Sequence, residues 1–275
     1  MEMFSYDFMI RALIAASFMA IIAPLLGVFL VLRRQSLLAD TLSHVSLAGI
    51  ALGFLINLNP TITTLIVVVL SALVLEYIRK LYSSYSEVST AVLMSGGLAV
   101  ALILMNLNKG ENTMNINQYL FGSIITINWA QVKMLGLLMV IILIVFVFLR
   151  RPMYVLTFDE ETAHVDGLPV NLLSILFNVL TGVAITVMIP IAGALLVSAI
   201  IILPGTISMK LGKTFNQVII VSIFVGFIGM ISGLIGSYQL DTPPGATITL
   251  VFIVLFIVVN LYDSLRRRKK KTDIL

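Results

Sequence analysis

Asp40 and His44 stand four residues apart in the stretch LLADTLSHVSLAG, residues 37–49, where nearly every other residue is apolar or small. On a helix, an i, i+4 spacing puts both side chains on one face, about 6 Å apart along the axis. Ser43 and Leu47 lie on the same side. An ionisable group near the centre of a membrane helix costs at least ~2.5 kcal/mol, so it faces a partner or a cavity. Two readings account for the pair. One is an interhelical hydrogen bond that holds a bundle together. The other is a cation site, because a carboxylate oxygen with an imidazole nitrogen suits Zn²⁺, Mn²⁺ or Fe²⁺, whereas Ca²⁺ and Mg²⁺ prefer oxygen alone. Two ligands do not complete a shell, but two identical chains face to face would supply four, the number zinc favours. The residues alone leave both readings open.

The other residues capable of chemistry lie at segment ends. The connection 150–169, RRPMYVLTFDEETAHVDGLP, carries Asp159, Glu160, Glu161, Asp166 and the second histidine of the chain, His164. It reads as a long polar loop holding a short helix that Gly167 ends, with Pro169 opening the next segment. A solvated helix that serves as a docking knob suits it better than a metal loop. In SYQLDTPPGA, residues 237–246, Thr242 can cap a helix with Pro243 in its first turn. Asp241 is then either part of that helix start or a cation-attracting carboxylate at a mouth. Gly212-Lys213-Thr214 looks like the end of a phosphate loop, yet the glycine required five residues earlier is Ile207, and no strand precedes it. ATP hydrolysis is therefore expected in another chain. An intramembrane metalloenzyme would need a base or nucleophile beside at least three ligands, and two histidines with no cysteine supply this poorly. A proton-coupled carrier that uses Asp40 and His44 without any ATPase remains open.

The elements that must position these residues are membrane helices. Of the 275 residues, 60% are hydrophobic and 11% charged, against about 25% charged in a soluble domain; mean hydropathy is +1.11. Apolar runs recur at lengths that cross a hydrocarbon core of about 30 Å. The pattern predicts an all-α, polytopic transmembrane bundle with spans near 8–32, 37–57, 61–79, 88–106, 128–149, 170–189, 193–209, 215–237 and 245–263. The 170–209 hairpin leaves the count at eight or nine. The ten-residue alternation of a β-barrel is absent. The single domain covers 1–275, since no connection could hold a soluble domain of ordinary size. The opening residues carry no base before the first apolar run, so that run is expected to stay as a span rather than act as a signal. No cysteine is present, which excludes disulfides and thiolate ligands.

Basic residues set the orientation. Arg33, Arg34, Arg79, Lys80, Arg150, Arg151, Lys210, Lys213 and the run 266–271 fall on one side if the spans number nine. The connections 57–60 and 237–245 have none, and 107–127 has only Lys109. The N-terminus is thus expected outside and the C-terminus in the cytoplasm. The basic tail 264–275 reads as an anchor to anionic head groups, not as a nucleic-acid contact. Ser222, Gly226, Gly229, Gly233 and Gly236 form a small-residue stripe for close helix packing in lipid.

Three stretches together resemble the membrane permease subunit of bacterial ABC importers for zinc, manganese or iron: LLADTLSHVSLAGIALGF with the preceding Arg33-Arg34, FDEETAHVDGLPV at 158–170, and YQLDTPPGATI at 238–248. The resemblance covers essentially the whole chain, and the first motif is the most specific. One departure is Ala48, where many relatives carry proline before the glycine. The resemblance implies a multi-pass protein of the bacterial plasma membrane that is not itself an enzyme. It would pair with a second copy, two cytoplasmic ATPase subunits and an extracytoplasmic metal-binding protein, with no permanently bound cofactor and Zn²⁺, Mn²⁺ or Fe²⁺ as cargo. It maps metal binding to Asp40 and His44, with Asp241 as a further candidate. ATPase docking maps to Phe158, Asp159, Glu160, Glu161, Ala163 and Gly167 in the coupling segment 158–169. The LDTPPGA form is nearer to zinc members than to manganese members.

Overall fold

The computed structural model describes residues 6–81, 86–108, 118–123 and 126–272. Among these the regular structure is helical throughout: α1 Asp7–Leu32, α2 Ser36–Leu55, α3 Pro60–Leu81, α4 Ser86–Leu107, α5 Trp129–Phe158, α6 Glu160–Val165, α7 Val170–Ala192, α8 Ala194–Leu211, α9 Phe215–Leu240 and α10 Pro244–Thr272. Eight of them are long and apolar enough to cross a membrane, and α8 is a shorter apolar helix. Backbone hydrogen bonds satisfied within each segment are what lipid demands, and the expected all-α bundle follows.

The bundle has two distinguishable ends. At one, Arg150 on α5 donates to Asn216 at the start of α9, and Arg33 after α1 donates to Ser174 near the start of α7. At the other, Gly193 between α7 and α8 lies against the backbone of Leu120, Phe121 and Gly122, and Gly245 of α10 lies against Ala192 and Phe121. The Arg-bearing corners collect at the first end, hereafter the basic end. From Gly193, α8 runs back toward that end.

α1, α2 and α7 are the buried centre, while α4, α5 and α10 present most of their surface outward. Small residues let the centre close up. A Cβ on Gly27 of α1 would sit 1.8 Å from the Ile201 carbonyl oxygen of α8, and Gly205 packs back on the Gly27 backbone. The α9 stripe works in the same way: Gly226 meets Ala20 and Pro24 of α1, whereas Gly229 and Gly233 meet Phe252 and Ile248 of α10.

Two expectations need correction. The fifth span does not end at 149: α5 runs on through Pro152 to Phe158, so the connection at 150–169 shrinks to 159–169. A proline inside a membrane helix forfeits only local backbone bonds, and buried Met153 and Leu156 hold the extra turns on the core. At the opposite end α10 starts at Pro244, one residue later than a Thr242 cap requires. The Pro243 carbonyl accepts from the Thr247 amide, and the Thr242 hydroxyl pairs with that of Thr247 instead (2.7 Å).

Candidate metal site and the charged groups around it

α2 carries Asp40 and His44 on an unbroken helix, the fifth and ninth residues from its start. At 1.5 Å per residue they lie roughly 6 Å and 12 Å along it, in the half nearer the basic end. Neighbouring hydroxyls bond back to their own helix: Thr41 to the Leu37 carbonyl at 2.9 Å and Ser43 to that of Ala39 at 2.8 Å. Thr41 and Val45 also face α4, through the Thr90 carbonyl (3.4 Å) and Gly97 respectively. The two ionisable side chains, by contrast, are half-buried, and Nδ1 of His44 is buried with no hydrogen-bond partner. Among the described residues no group of three or more His, Cys, Asp or Glu side chains gathers in metal-binding proximity.

Asp241 is not brought to them. It ends α9 in the left-handed conformation (φ 52°, ψ 46°), exposed at the end opposite the basic one. Its structural part is to close α9 rather than to open α10. His164, on α6, is exposed.

The segment 158–169 folds as its composition suggests. Asp159 caps α6, accepting from the Thr162 amide at 3.0 Å and from its hydroxyl at 2.5 Å. The hydroxyl bond leads in holding this exposed carboxyl below its ordinary pKa. Gly167 closes the helix at φ 73°, with its amide on the His164 carbonyl and that of Leu168 on Ala163. Phe158, Asp159, Glu160, Glu161 and Gly167 are exposed, but Ala163 is 0% exposed. Ala163 is thus packed into the bundle, whereas the other five residues expected to meet an ATPase are exposed. Phe158 packs against Tyr154 (4.8 Å) and edge-to-face with Phe215 (6.2 Å), and Phe215 in turn meets Phe29 of α1 (5.6 Å). Gly212-Lys213-Thr214 is a helix start. The Thr214 hydroxyl accepts from the Gln217 amide, and the Gln217 side chain accepts from the Lys213 amide.

One group was missed by reading the spans as uniformly apolar. Glu76, near the basic end of α3, is 1% exposed. One oxygen accepts from Arg79 at 3.1 Å and the other from Nδ2 of Asn178 on α7 at 2.8 Å. Close by, Arg33 donates to Ser174 at 2.7 Å and lies over the Phe177 ring, 5.6 Å from its centroid. Burial, then Arg79, pulls the Arg33 guanidinium down to about 10 against the opposing fields of Glu76 and Glu160. A lone acid inside an apolar span was the available signal, since such a residue needs a named partner.

Comparison with known proteins now decides the family. Residues 5–263 match the model of the ABC 3 transport family. The chain belongs to that family. This ABC 3 permease is 26% identical to the chelated iron transport system membrane protein YfeD of Yersinia pestis, over 98% of the chain and 90% of the relative. It is 23% identical to the high-affinity zinc uptake system membrane protein ZnuB of Haemophilus influenzae, over 92% of the chain and 97% of the relative. Among solved structures, PsaBC from Streptococcus pneumoniae in complex with Fab superposes with a TM-score of 0.83 at 26% identity, over 94% of this chain and 92% of that one. The chain is thus the multi-pass permease of a metal ABC transporter in the bacterial plasma membrane, a transporter component rather than an enzyme.

Proposed function

We propose that this permease serves an importer of a divalent transition metal, zinc first, and that Asp40 and His44 hold the ion as it crosses. One observation carries the reading: a half-buried carboxylate and an imidazole nitrogen without a partner stand one turn apart on an unbroken central helix. Polar groups in such a setting are normally paired, so an open pair is suited to accept a cation. A transport site must bind weakly enough to release. An incomplete shell of two ligands, doubled by a second copy of the chain, suits that better than a closed structural site.

The same reading puts the basic end in the cytoplasm, where two ATPase subunits meet the exposed side of 158–169, and the N-terminus outside. A metal-binding protein delivers the ion at the other end, with Asp241 steering it. Similarity to a zinc uptake protein and the LDTPPGA stretch support zinc. The somewhat higher identity to a chelated-iron protein, 26% against 23%, makes iron the second cargo to test, with manganese beside it.

The test is uptake of radiolabelled zinc into vesicles holding the assembled transporter, with unlabelled Mn²⁺ and Fe²⁺ as competitors. Zinc uptake that requires the ATPase subunits and resists competition is the expected result. Uptake by the permease alone would favour a self-sufficient carrier, and stronger competition by Fe²⁺ or Mn²⁺ would reassign the cargo.

A further inference from the structure

The metal reading leaves the most buried acid of the described residues unused. Glu76 joins α3 to α7, and the same face of α7 holds the corner before α2. Its Oε2 takes a hydrogen bond from Asn178, on the third turn of α7. One turn earlier on the same face, Ser174 takes one from Arg33, which opens the 33–35 corner between α1 and α2. Its Oε1 takes one from Arg79. Arg79 in turn walls a cavity of about 210 Å³ whose other side is Gln35, Ser36, Leu37 and Leu38, the start of α2. Asp40 follows two residues later. At its other boundary, α7 is preceded by α6, the candidate docking helix, with only residues 166–169 between them.

The network is also incomplete in a particular way. Nη1 of Arg33 and Oδ1 of Asn178 are both buried without a partner, one a donor and the other an acceptor. Buried groups that serve only to hold a structure are normally all paired. A spare donor and a spare acceptor in one cluster allow partners to be exchanged with little net loss of bonds, and a coupling element needs two such arrangements.

We propose that Glu76 is a positioning residue for transport: through Asn178, Arg79 and the neighbouring Arg33–Ser174 bond it ties the α6–α7 unit to the first turn of α2, so that ATP-driven movement at the docking helix reaches Asp40 and His44. This rests on the metal-site reading above. The acid itself touches no ion. It sets where α2 stands when α7 moves.

The experiment measures zinc moved per ATP hydrolysed, in vesicles holding the permease with its ATPase subunits and binding protein. Glu76→Gln keeps the size and one acceptor but removes the charge. The variant complex should assemble and hydrolyse ATP at the basal rate while zinc per ATP falls at least ~5-fold, the lower end of ordinary coupling strengths. Asn178→Leu leaves the Glu76–Arg79 pair intact and should lower the same ratio, so it decides the matter if Glu76→Gln does not fold. A wild-type ratio in the variants that fold overturns the proposal. So does a parallel loss of uptake and hydrolysis that follows the amount of folded complex. His44→Ala, run alongside, separates the two claims: wild-type uptake there sinks the metal-site reading, while the Glu76 ratio is still read on its own.

Discussion

Two charged regions near the basic end of this permease solve the same problem in opposite ways. On α3, Glu76 is buried and accepts from both Arg79 and Asn178. On α2, Asp40 and His44 are half-buried, and the imidazole keeps a buried nitrogen without a partner. Removing a charge from water costs several kcal/mol unless partners repay it. At Glu76 the protein itself supplies that repayment. At Asp40 and His44 it does not, since Nδ1 of His44 has no hydrogen-bond partner. Charge inside a membrane helix therefore does not by itself mark a ligand site, and the proposed site at Asp40 and His44 rests on that unpartnered nitrogen.

The contrast breaks most directly if both regions respond alike to mutation. Asp40→Asn keeps the shape and removes the charge that offsets desolvation of the ion, and His44→Ala removes the nitrogen. Uptake of radiolabelled zinc should fall to background in both, while thermal unfolding of the purified permease changes by no more than about 0.5 kcal/mol. Glu76→Ala should do the reverse in the unfolding assay. It leaves Arg79 and the Asn178 amide without their acceptor, and losses on breaking a buried pair run to about 3–5 kcal/mol. If Asp40→Asn proves as destabilising as Glu76→Ala, the pair on α2 is structural.

A smaller effect sharpens the packing half of the picture. Gly229→Val would push a side chain into the Phe252 ring, where even a bare Cβ lies 2.1 Å from a ring carbon. Overpacking of this kind costs about 1–3 kcal/mol, readable as a lowered unfolding temperature with zinc affinity unchanged.

How much of this was legible beforehand follows from what periodicity and punctuation can encode. Runs of apolar residues located every long helix, and Asp159, Gly167 and Pro169 located the ends around α6, because caps act within one turn. The fifth span was ended too early, at 149, because the packing of Met153 and Leu156 that carries α5 on to Phe158 depends on the rest of the bundle. Ala163 was grouped with its exposed neighbours because which side of a six-residue helix is buried depends on the rest of the bundle. Asp40 and His44 declare a shared face through their spacing. Glu76, Asn178 and Arg33 lie on three different elements, and nothing in the chain says that they meet.

The exposed charges should matter least. Replacing Glu160 and Glu161 with Lys should weaken assembly with the ATPase on the order of tenfold, mostly through the association rate and less at high salt. Zinc binding within the membrane should not change. Asp241→Asn should slow uptake by about tenfold or less at low ionic strength, with the difference vanishing as salt screens it. A loss at Asp241 that persists in high salt would show coordination rather than steering.

The central claim, that Asp40 and His44 form the cation site, is tested most directly by X-ray absorption at the zinc edge on the assembled transporter loaded with zinc. The account predicts a shell of mixed nitrogen and oxygen ligands in the wild type, with the nitrogen contribution lost in His44→Ala and zinc occupancy reduced in Asp40→Asn. An unchanged shell and unchanged occupancy in both variants would contradict it.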